Sequence, residues 1–167
     1  MGIVSSLLAL VVSNCEQGTE RKNEVYKVDV DLKAQYAVTS TVGLEAEQCQ
    51  AYFREILQNE FAEYTFREGV SVVDIVGEQN DSFQLYKTRP YQAYKAEWGA
   101  PYNFAIYKDD KLVGTIMLGE KWSHYNRVKF LISKMYMKKM GVAYIPFYTE
   151  LSNDVTYVVH RLREFLQ

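Results

Sequence analysis

The sequence predicts a mixed α/β fold: a sheet flanked by helices. Three observations predict it. Residues 102–107 and 112–118 alternate or run apolar on either side of a polar turn, Lys108-Asp109-Asp110-Lys111, the pattern of two strands joined by a hairpin. Three other stretches place apolar residues three and four apart, the helical period. One of these helices separates the hairpin from an apolar run at 142–148, so a crossover helix delivers a further strand to the same sheet.

The elements follow in order. Residues 3–12, IVSSLLALVV, are apolar but fall short of the roughly 20 residues that span a bilayer. They suit a short docking helix or a weak membrane contact. Cys15 behind them gives an alternative, an exported or lipid-anchored protein, although Asn14 stands where a small residue is expected at a lipoprotein site and no positive charge precedes the run. A polar linker at 16–24 leads to VYKVDVDL at 25–32, which alternates like an edge strand. Residues 1–43 are therefore an N-terminal segment, and 44–167 form one domain of ordinary size. Within it, residues 44–67 read as a long helix with Cys49, Tyr52, Phe53, Ile56, Leu57, Phe61 and Tyr64 on its apolar face and Gly69 at its end. VSVVDIV at 70–76 is apolar and β-branched and reads as a buried strand. FQLYK at 83–87 reads as a short strand, and 88–101 as an irregular loop.

After the hairpin, Gly119 breaks the second strand and Ser123 caps a basic helix. Val128, Leu131, Ile132, Met135 and Tyr136 form its apolar side, and Gly141 closes it. Pro146 marks an end or edge position of the last strand, 142–148, because proline cannot donate to a ladder. The last helix carries Val155, Val158, Val159, Leu162, Phe165 and Leu166 on one stripe.

Composition narrows the function. The chain has 167 residues, a net charge of −2 and 14 tyrosines. Residues 1–82 hold 6 Lys and Arg against 14 Asp and Glu, whereas residues 83–140 hold 11 against 4. Such a basic segment suits a phosphate backbone or an acidic partner. It also suits two solvated faces of opposite sign. Two distant cysteines make neither a CxxC pair nor a zinc cluster, and a reducing, cytoplasmic setting fits them. No Ser-His-Asp set and no phosphate-binding glycine loop is present in the sequence.

The order of elements, together with Tyr102-Asn103-Phe104, the turn at Asp109-Asp110, Val113-Gly114-Thr115-Ile116, His124, Lys134 and Met140-Gly141-Val142, resembles the PD-(D/E)XK nucleases, in particular their very-short-patch-repair-like branch. The resemblance covers about residues 44–166. It implies a restriction-endonuclease-like core in the order α-β-(β)-β-β-α-β-α. It also implies Mg²⁺ held by an Asp on the first hairpin strand and a Glu on the second. Asn103 and Met117 stand at those positions. An amide offers one neutral oxygen and a thioether is a soft, poor ligand for Mg²⁺, so the carboxylate chemistry is lost. The resemblance thus implies a degenerate nuclease: a non-catalytic protein without a cofactor, binding nucleic acid or a nucleic-acid-handling protein, as a mobile-element inhibitor or accessory factor does. Arg89, Lys95, Lys121, Arg127, Lys129, Lys134 and Lys138 are its expected phosphate contacts. The enzymatic alternative is a Mg²⁺-dependent nuclease with a migrated site, Asp74 and Glu120 holding the metal and Glu120, Lys121 and His124 serving catalysis.

Overall fold

The computed structural model describes residues 31–77, 83–84, 93–119 and 124–166. The chain divides into two compact units, Met1–Thr39 and Ser40–Gln167. In the first unit, residues 31–33 are helical, not the end of a strand; the rest of the expected strand at 25–32, with residues 3–12 and Cys15, lies outside the described residues.

The second unit is a mixed α/β domain. Its elements are α1 (Ala46–Glu60), β1 (Thr65–Val70), α2 (Val72–Val76), a 3₁₀ turn (Ala96–Trp98), β2 (Tyr102–Lys108), β3 (Lys111–Gly119), α3 (His124–Met140), β4 (Ala143–Tyr148) and α4 (Val155–Leu166). The four strands form one sheet in the order β1-β2-β3-β4. β1, β2 and β3 are antiparallel neighbours, and β4 runs parallel to β3 after the α3 crossover. The hairpin turn has Asp109 and Asp110 at φ +50° and +60°, the left-handed conformations that a two-residue hairpin turn needs and that Asp tolerates.

Within this unit, two expected elements differ. The helix expected over 44–67 stops at Glu60, and TFREGV pairs as β1 with β2. Polar residues hide the strand, because Glu68 and Arg67 give it no apolar alternation. VSVVDIV is not a strand: it carries the five-residue helix α2. Ser71 Oγ accepts from Asp74 N at 3.1 Å and Asp74 Oδ2 accepts from Ser71 N at 3.2 Å, a reciprocal capping box that overrides the β-branched composition. The observed order among the described residues is therefore α-β-α-β-β-α-β-α. Gln84 ends what is described of the strand expected at 83–87; Phe83 makes a lone antiparallel bridge with Tyr94.

Helices cover both faces of the sheet. On one side α1 buries Cys49, Tyr52, Phe53, Ile56 and Leu57, and α4 buries Val155, Val158, Val159, Leu162 and Leu166. Phe53 packs against Phe147 of β4 in a tilted arrangement at 4.8 Å between ring centres, and Leu166 fills the space above Gly114 of β3. Each such fully buried side chain contributes about 1.5–3 kcal/mol. Phe165 departs from the expected stripe: it is exposed and lies against the Arg161 guanidinium. On the other side, Met117 of β3 joins Val72, Tyr102, Ile132, Tyr136 and Met137 in one cluster. The buried face of α3 is thus rotated toward Met137 and Ser133, leaving Leu131 half-buried. Tyr102 donates its hydroxyl to Ser133 O at 2.8 Å, and burial pushes its pKa well above the ordinary phenol value.

Candidate functional site

Two places on the second unit gather the residues expected to carry function. The first is a cleft of about 540 Å³ where the N-terminus of α1 meets the ends of β2 and β3 and the turn after β4. Asn103 lines it, with Glu45, Glu47 and Gln50 of the α1 start and Thr149 and Glu150 beyond β4. This is the position at which the resemblance expects a metal-holding Asp. Both ends of the Asn103 amide are engaged within the protein. Its Oδ1 accepts from Leu118 N at 2.7 Å, tying β2 to β3, and its Nδ2 donates to Gln50 Oε1 at 3.4 Å. Gln50 Nε2 donates in turn to Glu68 Oε2 at 2.9 Å, and Arg54 Nη2 reaches the same oxygen at 2.8 Å. The Arg54 guanidinium holds Glu68 below the usual carboxylate range, and Gln50 adds to the effect. At the lip of the cleft, Glu45 and Gln48 form the capping box of α1. The polar groups here form a chain of internal bonds from Asn103 to Arg54.

Met117 does not face this chain. It is buried against Ile132, Tyr136 and Met137, so the two positions at which the resemblance expects metal-holding carboxylates do not share one pocket. Asp74 sits on α2, which packs against α3 and the 3₁₀ turn, and its carboxylate serves the capping box. Glu120 and Lys121 lie outside the described residues. His124 opens α3, and its side chain also lies outside what is described. Among the described residues, no group of three or more His, Cys, Asp or Glu is placed to hold a metal ion. Burial pushes the Cys49 thiol up, with Glu45 adding to the shift, which suits a core residue.

The second place is the face formed by α3 and β4. Arg127, Lys134 and Lys138 fall at i, i+7 and i+11 and are all exposed. At 100° per residue they share one stripe about 16 Å long. Among the described residues, no carboxylate is paired with Lys134 or Lys138. The other expected cations stand elsewhere. Lys129 lies on a different side of α3, where its carbonyl accepts from Ala100 N at 3.3 Å. Lys95 follows Tyr94 and pairs with Glu97 at 3.9 Å. Arg89 lies outside the described residues. The basic segment is therefore not one continuous surface among the described residues, but α3 does present a compact part of it.

Beside the stripe is an apolar slot of about 170 Å³ between α3 and β4. Arg127 and Lys134 line it with Phe130, Leu131, Pro146 and Tyr148, and Met117 and Gly119 form its floor. A methyl group on Gly119 would lie 3.7 Å from both the Phe130 and Tyr148 rings, so the missing side chain is what keeps the gap open. Sequence reasoning read Gly119 only as a strand break. Phe130 and Tyr148 stand 11 and 29 residues away, and no spacing rule joins them. Among the described residues β4 lies at the edge of the sheet, one of the two positions that Pro146 suggests. Thr149 N donates to Gly119 O at 3.0 Å, so the odd-numbered positions of β4 face β3 and Pro146 faces outward. The absent N–H there blunts the open edge.

Among the described residues, no helix is long and apolar enough to cross a membrane. No protein-family model, curated protein or solved structure matches this chain.

Proposed function

We propose that this chain is a binding protein without nuclease chemistry, and that the α3–β4 face holds an acidic protein partner, one that itself handles nucleic acid. The observation that carries this reading is the stripe of Arg127, Lys134 and Lys138 beside an apolar slot. Charges around an apolar centre are the layout of a protein-recognition surface, in which the buried centre supplies affinity and the charged rim supplies orientation and rate. The nature of the partner comes from the sequence resemblance alone; what the fold supplies is a mixed α/β domain whose four-stranded sheet carries helices on both faces. At the cleft, Asn103 is committed to Leu118 and Gln50, which favours binding over metal-dependent cleavage.

Nucleic acid is the second reading, favoured by the length of the cationic stripe. The two are separated by titrating the full chain with fluorescent polyglutamate and with a twelve-nucleotide oligothymidylate between about 50 and 200 mM salt. The proposal expects salt-dependent binding that is tighter for polyglutamate and is lost in the triple variant Arg127→Glu, Lys134→Glu, Lys138→Glu. Incubation with DNA and RNA in Mg²⁺ or Mn²⁺ is expected to leave both intact. Cleavage abolished by Glu120→Ala would overturn the proposal in favour of the migrated-site nuclease.

A further inference from the structure

We infer that the slot between α3 and β4 receives one bulky apolar side chain of the partner, from a peptide segment with acidic residues on both sides of that anchor. The inference rests on the binding reading above and adds the chemistry of what is bound. Size comes first. An apolar cavity of about 150 Å³ accommodates a benzene-sized ring, and this slot of about 170 Å³ admits one such group. Phe130 and Tyr148 both line the slot, and each ring stands 3.7 Å from where a Gly119 side chain would begin. An inserted ring would therefore meet an aromatic surface on each side, the offset and edge arrangements that ring pairs favour.

Chemistry then selects among ligands. Met117, Leu131 and Pro146 contribute apolar walls. Asn126, Arg127, Lys134 and Tyr144 also line the slot, so a nucleobase would bear a cost of about 1–3 kcal/mol for each edge group they leave unpaired, whereas an aliphatic or aromatic side chain brings few or no such groups. Backbone pairing is disfavoured too, because Pro146 faces outward from the β4 edge without an N–H. Recognition therefore falls to side chains.

Charge fixes the flanks. Arg127 and Lys134 bracket Phe130 and Leu131 along α3, seven residues apart, or about 10 Å. An extended peptide advances about 3.3 Å per residue. Acidic residues one or two places before and after the anchor therefore fall beside the two cations. The rest of the α3 stripe continues to Lys138 and would favour a further acid on one side.

The test uses the full chain and labelled peptides of sequence Glu-Glu-X-Glu-Glu, with X as Trp, Leu or Ser, followed by fluorescence anisotropy. Binding is expected to be roughly ten- to a hundredfold tighter with Trp than with Ser, the increment for burying one large apolar side chain. Gly119→Leu is expected to abolish that preference, so that the Trp, Leu and Ser peptides bind alike. Gly119 has no left-handed φ, so the substitution carries no backbone strain, and circular dichroism with thermal melting checks that the variant folds. Should it fail to fold, Tyr148→Ala serves: it removes an exposed wall of the slot and is expected to shrink the same preference. Lys134→Glu is expected to weaken all three peptides alike. Equal affinity for Trp and Ser peptides in the native chain would overturn the slot while leaving the charge-based proposal standing. So would a preference undiminished in folded Gly119→Leu. Absence of salt-dependent binding to any of the peptides would overturn both. Oligothymidylate binding that is lost in Gly119→Leu would overturn the peptide as occupant and assign the slot to a base.

Discussion

The cleft around Asn103 and the face between α3 and β4 use polar residues in opposite ways. At the cleft, Asn103, Gln50, Glu68 and Arg54 satisfy one another in a chain that joins α1 to β1, β2 and β3. On α3, Arg127, Lys134 and Lys138 are exposed, and Arg127 and Lys134 line the slot between α3 and β4. Polar groups already paired inside a protein have little left to offer a ligand, because binding would first have to break those bonds. Lys134 and Lys138, with no carboxylate partner among the described residues, gain a partner without that loss. The difference separates residues that maintain the frame from residues placed to act.

The largest effect expected is on the residue that ties the two places together. Tyr148 belongs to the slot, Thr149 and Glu150 to the cleft, and Asn153 pins the segment between them. Asn153 is buried, and its Nδ2 reaches Tyr148 O at 2.7 Å, Thr41 Oγ1 at 3.0 Å and Leu151 O at 3.1 Å. Asn153→Ala is expected to cost about 3 kcal/mol in urea denaturation, since it strands buried acceptors as well as removing a donor. Because Tyr148 loses its anchor, binding of the Trp peptide should weaken too. Native-like stability in this variant would show that the turn does not link the regions energetically.

Asn103→Leu comes next and separates them. Leu118 N would lose its acceptor, with an expected loss of about 1–3 kcal/mol. Peptide affinity, measured at a temperature where the variant is folded, should not change. Lys134→Glu is the mirror case: binding of acidic peptides falls about tenfold or more, while stability stays within about 0.5 kcal/mol, as for other exposed sites. A large stability loss in Lys134→Glu, or lost binding in Asn103→Leu, would break the division of roles.

Much of the frame was legible in the sequence because it depends on local rules. Asp109-Asp110 announced the hairpin, Pro146 an end or edge position, and Gly141 the end of α3, where it adopts φ +67° and its N–H bonds Lys138 O. The errors arose where two local rules compete or a partner far along the chain decides. Val72 to Val76 look like a strand until Ser71 and Asp74 are recognised as a capping box. Thr65 to Val70 look like the tail of α1, and only pairing with β2, some forty residues on, makes them a strand. The site follows the same division. The stripe on α3 could be read from spacing alone. The commitment of Asn103 could not, because Gln50 lies 53 residues before it and Leu118 lies 15 after.

The smallest effect concerns the far end of the Asn103 chain and depends on pH. Arg54 holds the Glu68 carboxyl below its ordinary range through side-chain hydrogen bonds and charge, so the folded state binds that proton more weakly than the unfolded chain does. The stabilisation is therefore fully present above the unfolded carboxylate value of about 4.3 and is lost as pH falls through that value and the lower folded one. The pair is largely exposed, with side-chain accessibilities of 42% and 29%, so the contribution is about 1 kcal/mol or less. Urea denaturation of the native chain and of Glu68→Gln at descending pH provides the measurement. The two curves should differ by this amount near neutral pH and converge as pH falls through the lowered folded value of Glu68. Convergence should also remove any difference in the response to salt, because the charge pair is then gone from both proteins. A gap that persists in acid would mean that Glu68 acts through its neutral hydrogen bond to Gln50, with Arg54 a bystander, and the Asn103 chain would then end one residue earlier than the geometry draws it.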